Sequence, residues 1–118
     1  MRREHLYLQD ILEACDMIET FLDGRDAAAF LASELHKAAT LQKLTVIGEA
    51  AARLSHTFRE AHSQVEWRDI MAFRNIAVHA YFAMQWDIVW ATATDDVSML
   101  RRQVLEILQA ENLEQPEQ

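Results

Sequence analysis

The sequence is poor in residues that interrupt helices and in those that cross-link small folds. Its 118 residues include two glycines, one proline and one cysteine. A single cysteine excludes an internal disulfide framework, and the scarcity of glycine and proline leaves few places for turns. The sequence also lacks a basic, apolar leader and any long apolar run. We therefore expect a cytoplasmic protein that does not enter a membrane.

Basic residues are scarce as well. Lysine and arginine number 11 against 19 aspartates and glutamates, which gives a formal net charge of −8. Proteins that coat nucleic acid need a basic face, because binding is driven by the release of counterions from phosphates. This composition argues against that class, so any contact with nucleic acid must be local. An acidic surface is compatible with a tight protein partner, although charge alone identifies none.

What the sequence does have is apolar residues at helical spacing, in a chain that is 51% hydrophobic. We predict one all-α domain over residues 1–110, an up-and-down bundle of about five helices. The first helix should span Glu4 to Leu22 and stop at Asp23-Gly24. Asp26 is a candidate N-cap for the helical segment that follows, and spacing does not show whether that segment is interrupted. The polar residues 111–118 are expected to be a disordered tail.

Several positions are expected to be structural. Cys15 lies on the apolar stripe of the first helix, which favours a small core residue over a reactive thiol. Residues 55–64 lose periodicity and should form the main loop, with His56 and His62 on the surface because their spacing matches no metal pair. Asp95 or Asp96 can cap a last helix. The apolar positions expected in the core or a dimer interface are Phe82, Trp86, Val89 and Trp90. The apolar seam of the last helix should consist of Val97, Leu100, Val104 and Ile107.

The stretch from Arg74 to Tyr81, RNIAVHAY, places polar and reactive side chains among residues that otherwise look like core. On an ideal wheel for a helix that starts near Glu66, Arg74 and Tyr81 lie about 20° apart and should face inward. Asn75 and His79 share another arc as an i, i+4 pair. His79 lies about 140° from Arg74, so the two converge only if the helix ends or bends, or if a second subunit contributes.

Two upstream residues could support this stretch. Gly48 in the middle of a helix should cost about 1 kcal/mol relative to alanine, which suggests close packing against another helix, with Trp67 as a candidate neighbour. Glu49 could form an i, i+4 pair with Arg53 or could meet Arg74. A semi-buried guanidinium is costly unless a carboxylate or phosphate meets it, and spacing alone leaves both partners open.

Arginine and histidine together suffice for phosphoryl chemistry without a metal. When a ribose 2′-OH attacks the adjacent phosphate, one group must take a proton, one must give a proton, and a cation must stabilise the equatorial oxygens. His79 could be the acid or the base near neutral pH, and two copies across a dimer could divide these duties. Arg74 would clamp the phosphate, and Asn75 would orient the imidazole or a phosphate oxygen. A lone arginine or histidine in a helix is more often structural, so spacing alone does not establish catalysis.

The order Arg-x4-His-x-Tyr, with asparagine after the arginine, resembles the signature of the HepT-like branch of the HEPN superfamily, the toxins of bacterial toxin–antitoxin pairs. Ile47 to Ala51 (IGEAA) and Trp67-x2-Ile70 are similar to other recurring pieces of that family. Val65-Glu66 departs from it, since proline is common before the tryptophan. The resemblance implies a HEPN-like bundle and a metal-independent endoribonuclease that needs no cofactor and acts across a homodimer cleft. Its catalytic pair would be Arg74 and His79, with Asn75 and Glu49 in support.

The resemblance also implies a partner. A cognate minimal nucleotidyltransferase, the antitoxin, would add AMP to Tyr81 and block RNA by bulk and negative charge. ATP would be the antitoxin's substrate. The residues alone allow a plainer alternative, in which the hydroxyl of Tyr81 hydrogen-bonds to Arg74. A competing hypothesis is that the protein is a non-catalytic dimeric helical adaptor that binds the nucleotidyltransferase.

Overall fold

Helices make up the regular structure of the residues that the computed structural model describes, 2–76, 78 and 85–111. No strand occurs among them, so the prediction of an all-α fold is confirmed. Residues 73–76 and 78 are also helical, and a π-helical turn at Thr92–Asp96 joins the last two helices. The remaining helices are α1 (Arg2–Leu22), α2 (Ala27–Leu31), α3 (Glu34–Arg53), α4 (His56–Ala61), α5 (Trp67–Met71), α6 (Trp86–Ala91) and α7 (Val97–Ala110).

The core forms where α1 packs against both α3 and α7. Each of these helices contributes an apolar stripe, and burial of one such side chain is worth roughly 2 kcal/mol. Cys15 is fully buried in this core, as predicted. Burial, with the nearby charges of Asp16 and Glu19, raises the pKa of the Cys15 thiol to about 12. The fully buried members include Leu8, Ile11, Ile18, Leu44, Ile47, Leu100, Val104 and Ile107.

Local signals end and restart the early helices, at Gly24 and Asp26 as predicted and at Ser33, where the sequence left an interruption open. After α1 the chain turns at Gly24, whose φ of 75° favours glycine. The Asp26 carboxylate then accepts a hydrogen bond from the Ala29 amide at 2.9 Å and caps α2. Ser33 does the same for α3, since its hydroxyl accepts from the His36 amide at 3.1 Å. The segment after Asp26 is therefore two helices.

The prediction of a loop over residues 55–64 is wrong, because α4 lies within it. The Ser55 hydroxyl caps α4 by accepting from the Phe58 amide at 3.0 Å, and Phe58 is buried. One turn and a half is too short to show a periodic pattern. His56 is exposed as expected, but His62 is buried, with Nε2 2.6 Å from a carboxylate oxygen of Glu111. Residues 112–118, the rest of the predicted tail, lie outside the described residues.

The last helix has no aspartate cap, which corrects a second prediction. The chain is helical without interruption from Trp86 to Ala110, and the backbone of Asp96 is itself helical with no capping side-chain bond. Asp95 lies inside the π-helical turn. The apolar seam of α7 is buried as predicted, and Trp86 and Trp90 pack against Phe30 with ring centroids 6.4 and 5.3 Å away. Phe82 lies outside the described residues.

None of the helices in the described part of the chain is long and apolar enough to cross a membrane.

Candidate functional site

The segment that carries the candidate site begins with α5. Trp67 and Ile70 are buried and hold this helix against the body of the protein, and the Trp67 indole donates a hydrogen bond to the His62 carbonyl at 3.0 Å. The start near Glu66 is confirmed. The helix is interrupted at Ala72, and helical backbone resumes at residue 73, where the Asn75 amide donates to the Ala72 carbonyl at 2.9 Å. The motif segment is therefore not one uninterrupted helix, as the ideal wheel assumed.

The interruption changes which side chains face the core. Phe73 is buried and Ile76 is half-buried, whereas Arg74, Asn75 and Val78 are exposed. The prediction that Arg74 faces inward is wrong, since 43% of its side chain is exposed. The ideal wheel ran through Ala72 without an interruption and so put Arg74 in the middle of the apolar arc. The guanidinium therefore faces solvent instead of the core.

Two groups contact the guanidinium of Arg74 among the described residues. Its Nη1 lies 3.7 Å from a carboxylate oxygen of Glu49 on α3, and its Nε donates to the Met71 carbonyl at 3.3 Å. Of the two partners that the sequence left open for Glu49, the structure gives Arg74. The Glu49 side chain is 52% exposed, so water screens this ion pair and its contribution to stability is about 0–1 kcal/mol. The remaining N–H groups of Arg74 can meet an anion.

Gly48, next to Glu49, lies directly under Arg74. A Cβ at Gly48 would be 2.8 Å from the Cγ of Arg74, 3.1 Å from its backbone nitrogen and 3.1 Å from the Met71 carbonyl oxygen. The prediction of close packing holds. The nearest neighbour is Arg74, however, and not Trp67, the candidate that sequence position suggested. Sequence reasoning missed this contact because the turn at Ala72, which brings Arg74 onto α3, leaves no periodic signal.

An acidic groove lies on a neighbouring surface, between α5 and α7. It encloses about 240 Å³. Partial burial, with the charges of Asp95 and Asp69, raises the pKa of the Asp96 carboxyl above its ordinary value. An anionic lining repels phosphate, so this groove is a poor candidate for RNA, and the exposed side of Arg74 is the better one. The lining residues are Gln64, Glu66, Asp69, Ile70, Phe73, Asp96, Met99, Leu100 and Gln103.

Of the predicted site residues, the structure brings Arg74 and Glu49 together and leaves Asn75 exposed beside Arg74. His79 and Tyr81 lie outside the described residues. Within the described part of the chain, no group of three or more histidine, cysteine, aspartate or glutamate residues could hold a metal ion. The arrangement offers an exposed cation directly after the turn at Ala72, supported from below by α3.

Comparisons with known proteins find one family model and several relatives that are similar to this chain. A family model described as "HepT-like: Ribonuclease HepT-like" matches residues 11–107. A protein of Caldanaerobacter subterraneus subsp. tengcongensis named "Putative RNase" is 34% identical over 111 residues, which cover 94% of this chain and 99% of that protein. A Thermococcus cleftensis protein named "Probable ribonuclease HepT" is 32% identical over 102 residues, 86% of this chain and 93% of that protein. No solved structure matches the chain at a significant level.

Proposed function

The chain belongs to the ribonuclease HepT-like family, and from that membership we propose that it is a metal-independent endoribonuclease that acts as the toxin of a toxin–antitoxin pair. The observation that carries the proposal is the exposed guanidinium of Arg74, which faces solvent and, among the described residues, leaves most of its donors open to an anion. In an acidic protein, such a local cation is where a phosphodiester can bind.

Each residue of the site has a role in this reaction. Arg74 binds a non-bridging oxygen of the scissile phosphate and stabilises the charge that grows on it as the ribose 2′-OH attacks. His79 exchanges protons with the reacting oxygens: one proton leaves the 2′-OH, and one reaches the departing 5′ oxygen. The bond formed gives a 2′,3′-cyclic phosphate, and the bond broken frees a 5′-hydroxyl. Asn75 orients the imidazole or a phosphate oxygen, and Glu49 supports the guanidinium.

The reaction is tested with purified protein and total RNA in the presence of EDTA. We expect wild type to cleave RNA, and Arg74→Ala and His79→Ala to lose at least roughly 100-fold in rate, because each removes a charge or a proton carrier from the transition state. Matched controls are Arg102→Ala on α7 and His56→Ala on α4, which change exposed residues of the same types elsewhere. Products should end in a 2′,3′-cyclic phosphate.

Equal inactivity of all five proteins, with self-association and partner binding intact, would contradict this proposal and favour the non-catalytic adaptor. Cleavage that EDTA abolishes would contradict the metal-independent mechanism.

We propose further that a cognate minimal nucleotidyltransferase neutralises the protein by adding AMP to Tyr81. Tyr81 is two residues beyond His79 in the sequence. A nucleotide on its hydroxyl would bring a negative charge and bulk to a site that must admit a phosphodiester, so RNA would be excluded.

Intact mass spectrometry tests the modification after incubation with the partner and ATP. We expect the mass to rise by whole AMP units and the ribonuclease activity to fall in parallel. Tyr81→Phe should abolish the rise, because it removes the acceptor oxygen. Tyr7→Phe is the matched control, since Tyr7 is the other tyrosine of the chain. A full mass shift in Tyr81→Phe would place the modification on another residue.

A further inference from the structure

A glycine on α3 determines where Arg74 can lie. The Cβ that any other residue would add at Gly48 would meet three atoms of the Met71–Arg74 turn at 2.8 to 3.1 Å. Two of these atoms are backbone, the Arg74 nitrogen and the Met71 oxygen, and the third is the first flexible carbon of the arginine stem. The two backbone atoms cannot rotate away while the turn stays in place. The absence of a side chain at position 48 therefore lets the turn lie this close to α3.

The same turn also holds the guanidinium. The Met71 carbonyl that would meet a Cβ at Gly48 also accepts the hydrogen bond from Arg74 Nε, at 3.3 Å. Glu49, the next residue on α3, provides the carboxylate 3.7 Å from Arg74 Nη1. Displacement of the turn away from α3 would thus move the guanidinium, together with the Met71 carbonyl that holds it, away from the Glu49 carboxylate.

We propose that Gly48 is a positioning residue for the ribonuclease site: the notch that it leaves in α3 seats the Met71–Arg74 turn and so sets where the Arg74 guanidinium is presented to RNA. The effect on catalysis rests on the proposed function, whereas the packing of the turn in the notch does not. Gly48 itself touches no reacting atom in this proposal.

Thermal unfolding of Gly48→Ala tests the notch without reference to activity. Helix propensity alone would raise the Tm, since alanine is the better residue inside a helix. We expect the Tm to fall by several degrees, because the turn must move off α3, and to fall less when Arg74→Ala removes the Cγ contact at 2.8 Å. A higher Tm in Gly48→Ala would overturn the proposal. If Gly48→Ala does not fold, adding Arg74→Ala should restore part of the stability, because it removes the 2.8 Å contact and leaves the two backbone contacts at 3.1 Å. No gain in stability at all would overturn the assignment to Arg74.

The matched control is Gly24→Ala. Gly24 has a φ of +75°, and no atom of the described residues lies within 4 Å of the position that an alanine methyl group would take there. Alanine at position 24 is therefore strained yet touches nothing near the site. Both variants should lose stability, but only Gly48→Ala should shift the Arg74 Nε–H resonance in an NMR spectrum. An unchanged resonance in Gly48→Ala would overturn the proposal even if the protein proved inactive on RNA.

The kinetic test is a double-mutant cycle on kcat, measured well below the lowest Tm. We expect Gly48→Ala to lower kcat by roughly 10- to 100-fold, as a displacement of about 1 Å at a catalytic group can, and Gly24→Ala to leave it unchanged. In the Arg74→Ala background, Gly48→Ala should cost little more. An equal loss in both backgrounds would mean a general structural effect and would overturn the positioning role. Absence of cleavage by wild type would instead overturn the proposed function. The Tm and NMR results would then decide whether Gly48 seats the Met71–Arg74 turn.

Discussion

The function that Arg74 can have depends on whether its side chain is buried or exposed. A buried guanidinium would need a permanent carboxylate partner, and a substrate could reach it only by breaking that pair. In the structure the Arg74 side chain is 43% exposed, and its ion pair with Glu49 spans 3.7 Å. A loose, solvated pair is exchanged for a phosphate at little cost. Exposure therefore favours a role in binding over a role in holding the fold together.

The same geometry makes Glu49 a competitor of the substrate as well as a support. We expect Glu49→Gln to lower the KM for RNA by up to about fivefold, the equivalent of about 1 kcal/mol, because the charge that competes with phosphate for Arg74 is removed. We expect kcat to fall at the same time, because the guanidinium loses its charged support. Steady-state cleavage of a short fluorogenic RNA at low salt measures both quantities.

Glu60→Gln on α4 is the control for this prediction, since it removes one exposed negative charge from the protein at a glutamate that pairs with His56. A fall in KM of the same size in both variants would show a general charge effect. A KM for Glu49→Gln equal to or above the wild-type value would contradict competition at Arg74.

Residues with a strong local signal were predictable from the sequence. Asp26 caps a helix and Gly24 ends one through short-range backbone chemistry that the sequence contains. Cys15 is buried because it lies on a periodic apolar stripe. The burial of His62 was not predictable: one of its contacts is Glu111, which is distant in sequence and lies at the end of α7. Contacts of that kind leave no trace in spacing along one helix.

At the scale of helices, the periodicity of apolar residues predicts the long helices and misses the short ones. α1 and the buried seam of α7 repeat their apolar residues over several turns, so their positions could be predicted. α4 and α5 have six and five residues, too few for a period to appear. The turn at Ala72 has no glycine or proline to mark it, and the wheel that continued through it put Arg74 on the wrong side. The geometry of Arg74 depends on this turn, which is why the sequence named the residue but did not give its orientation.

At the π-helical turn the sequence predicted a helix start where the structure has none. Two adjacent aspartates look like a helix start, yet the chain is already helical there and continues into α7. A π-helical turn accommodates an additional residue without ending the helix, so α6 and α7 behave as one rod. Trp86 and Trp90 pack one end of that rod against Phe30 of α2, and α7 packs against α1. The helices that follow the Arg74–Tyr81 stretch in the sequence, α6 and α7, thereby pack on the same core as α3, which supports Arg74 from below.

At the scale of the whole molecule, the acidic charge limits how RNA can bind. With a net charge of −8, the protein as a whole repels a polyanion, and the groove between α5 and α7 repels it locally. A homodimer of the kind that the family resemblance implies would help, because a twofold axis would place two copies of each site residue around one cleft. Sequence spacing separates Arg74 and His79 by about 140° on an ideal helix, so a site shared between two chains is one way to bring them to the same phosphate.

Heterodimers of inactive chains test whether each site is shared. An Arg74→Ala chain and a His79→Ala chain, each with its own affinity tag, are co-expressed. Their heterodimer contains one intact Arg74 and one intact His79, on different chains. If each site takes its arginine from one subunit and its histidine from the other, one of the two sites is complete, and we expect about half of the wild-type rate.

The mirror control pairs a wild-type chain with an Arg74→Ala/His79→Ala chain. That heterodimer should be inactive if sites are shared and about half active if each chain carries its own site. An active mirror control beside an inactive first heterodimer would therefore contradict the shared cleft, and sedimentation of wild type as a monomer at assay concentrations would remove its premise.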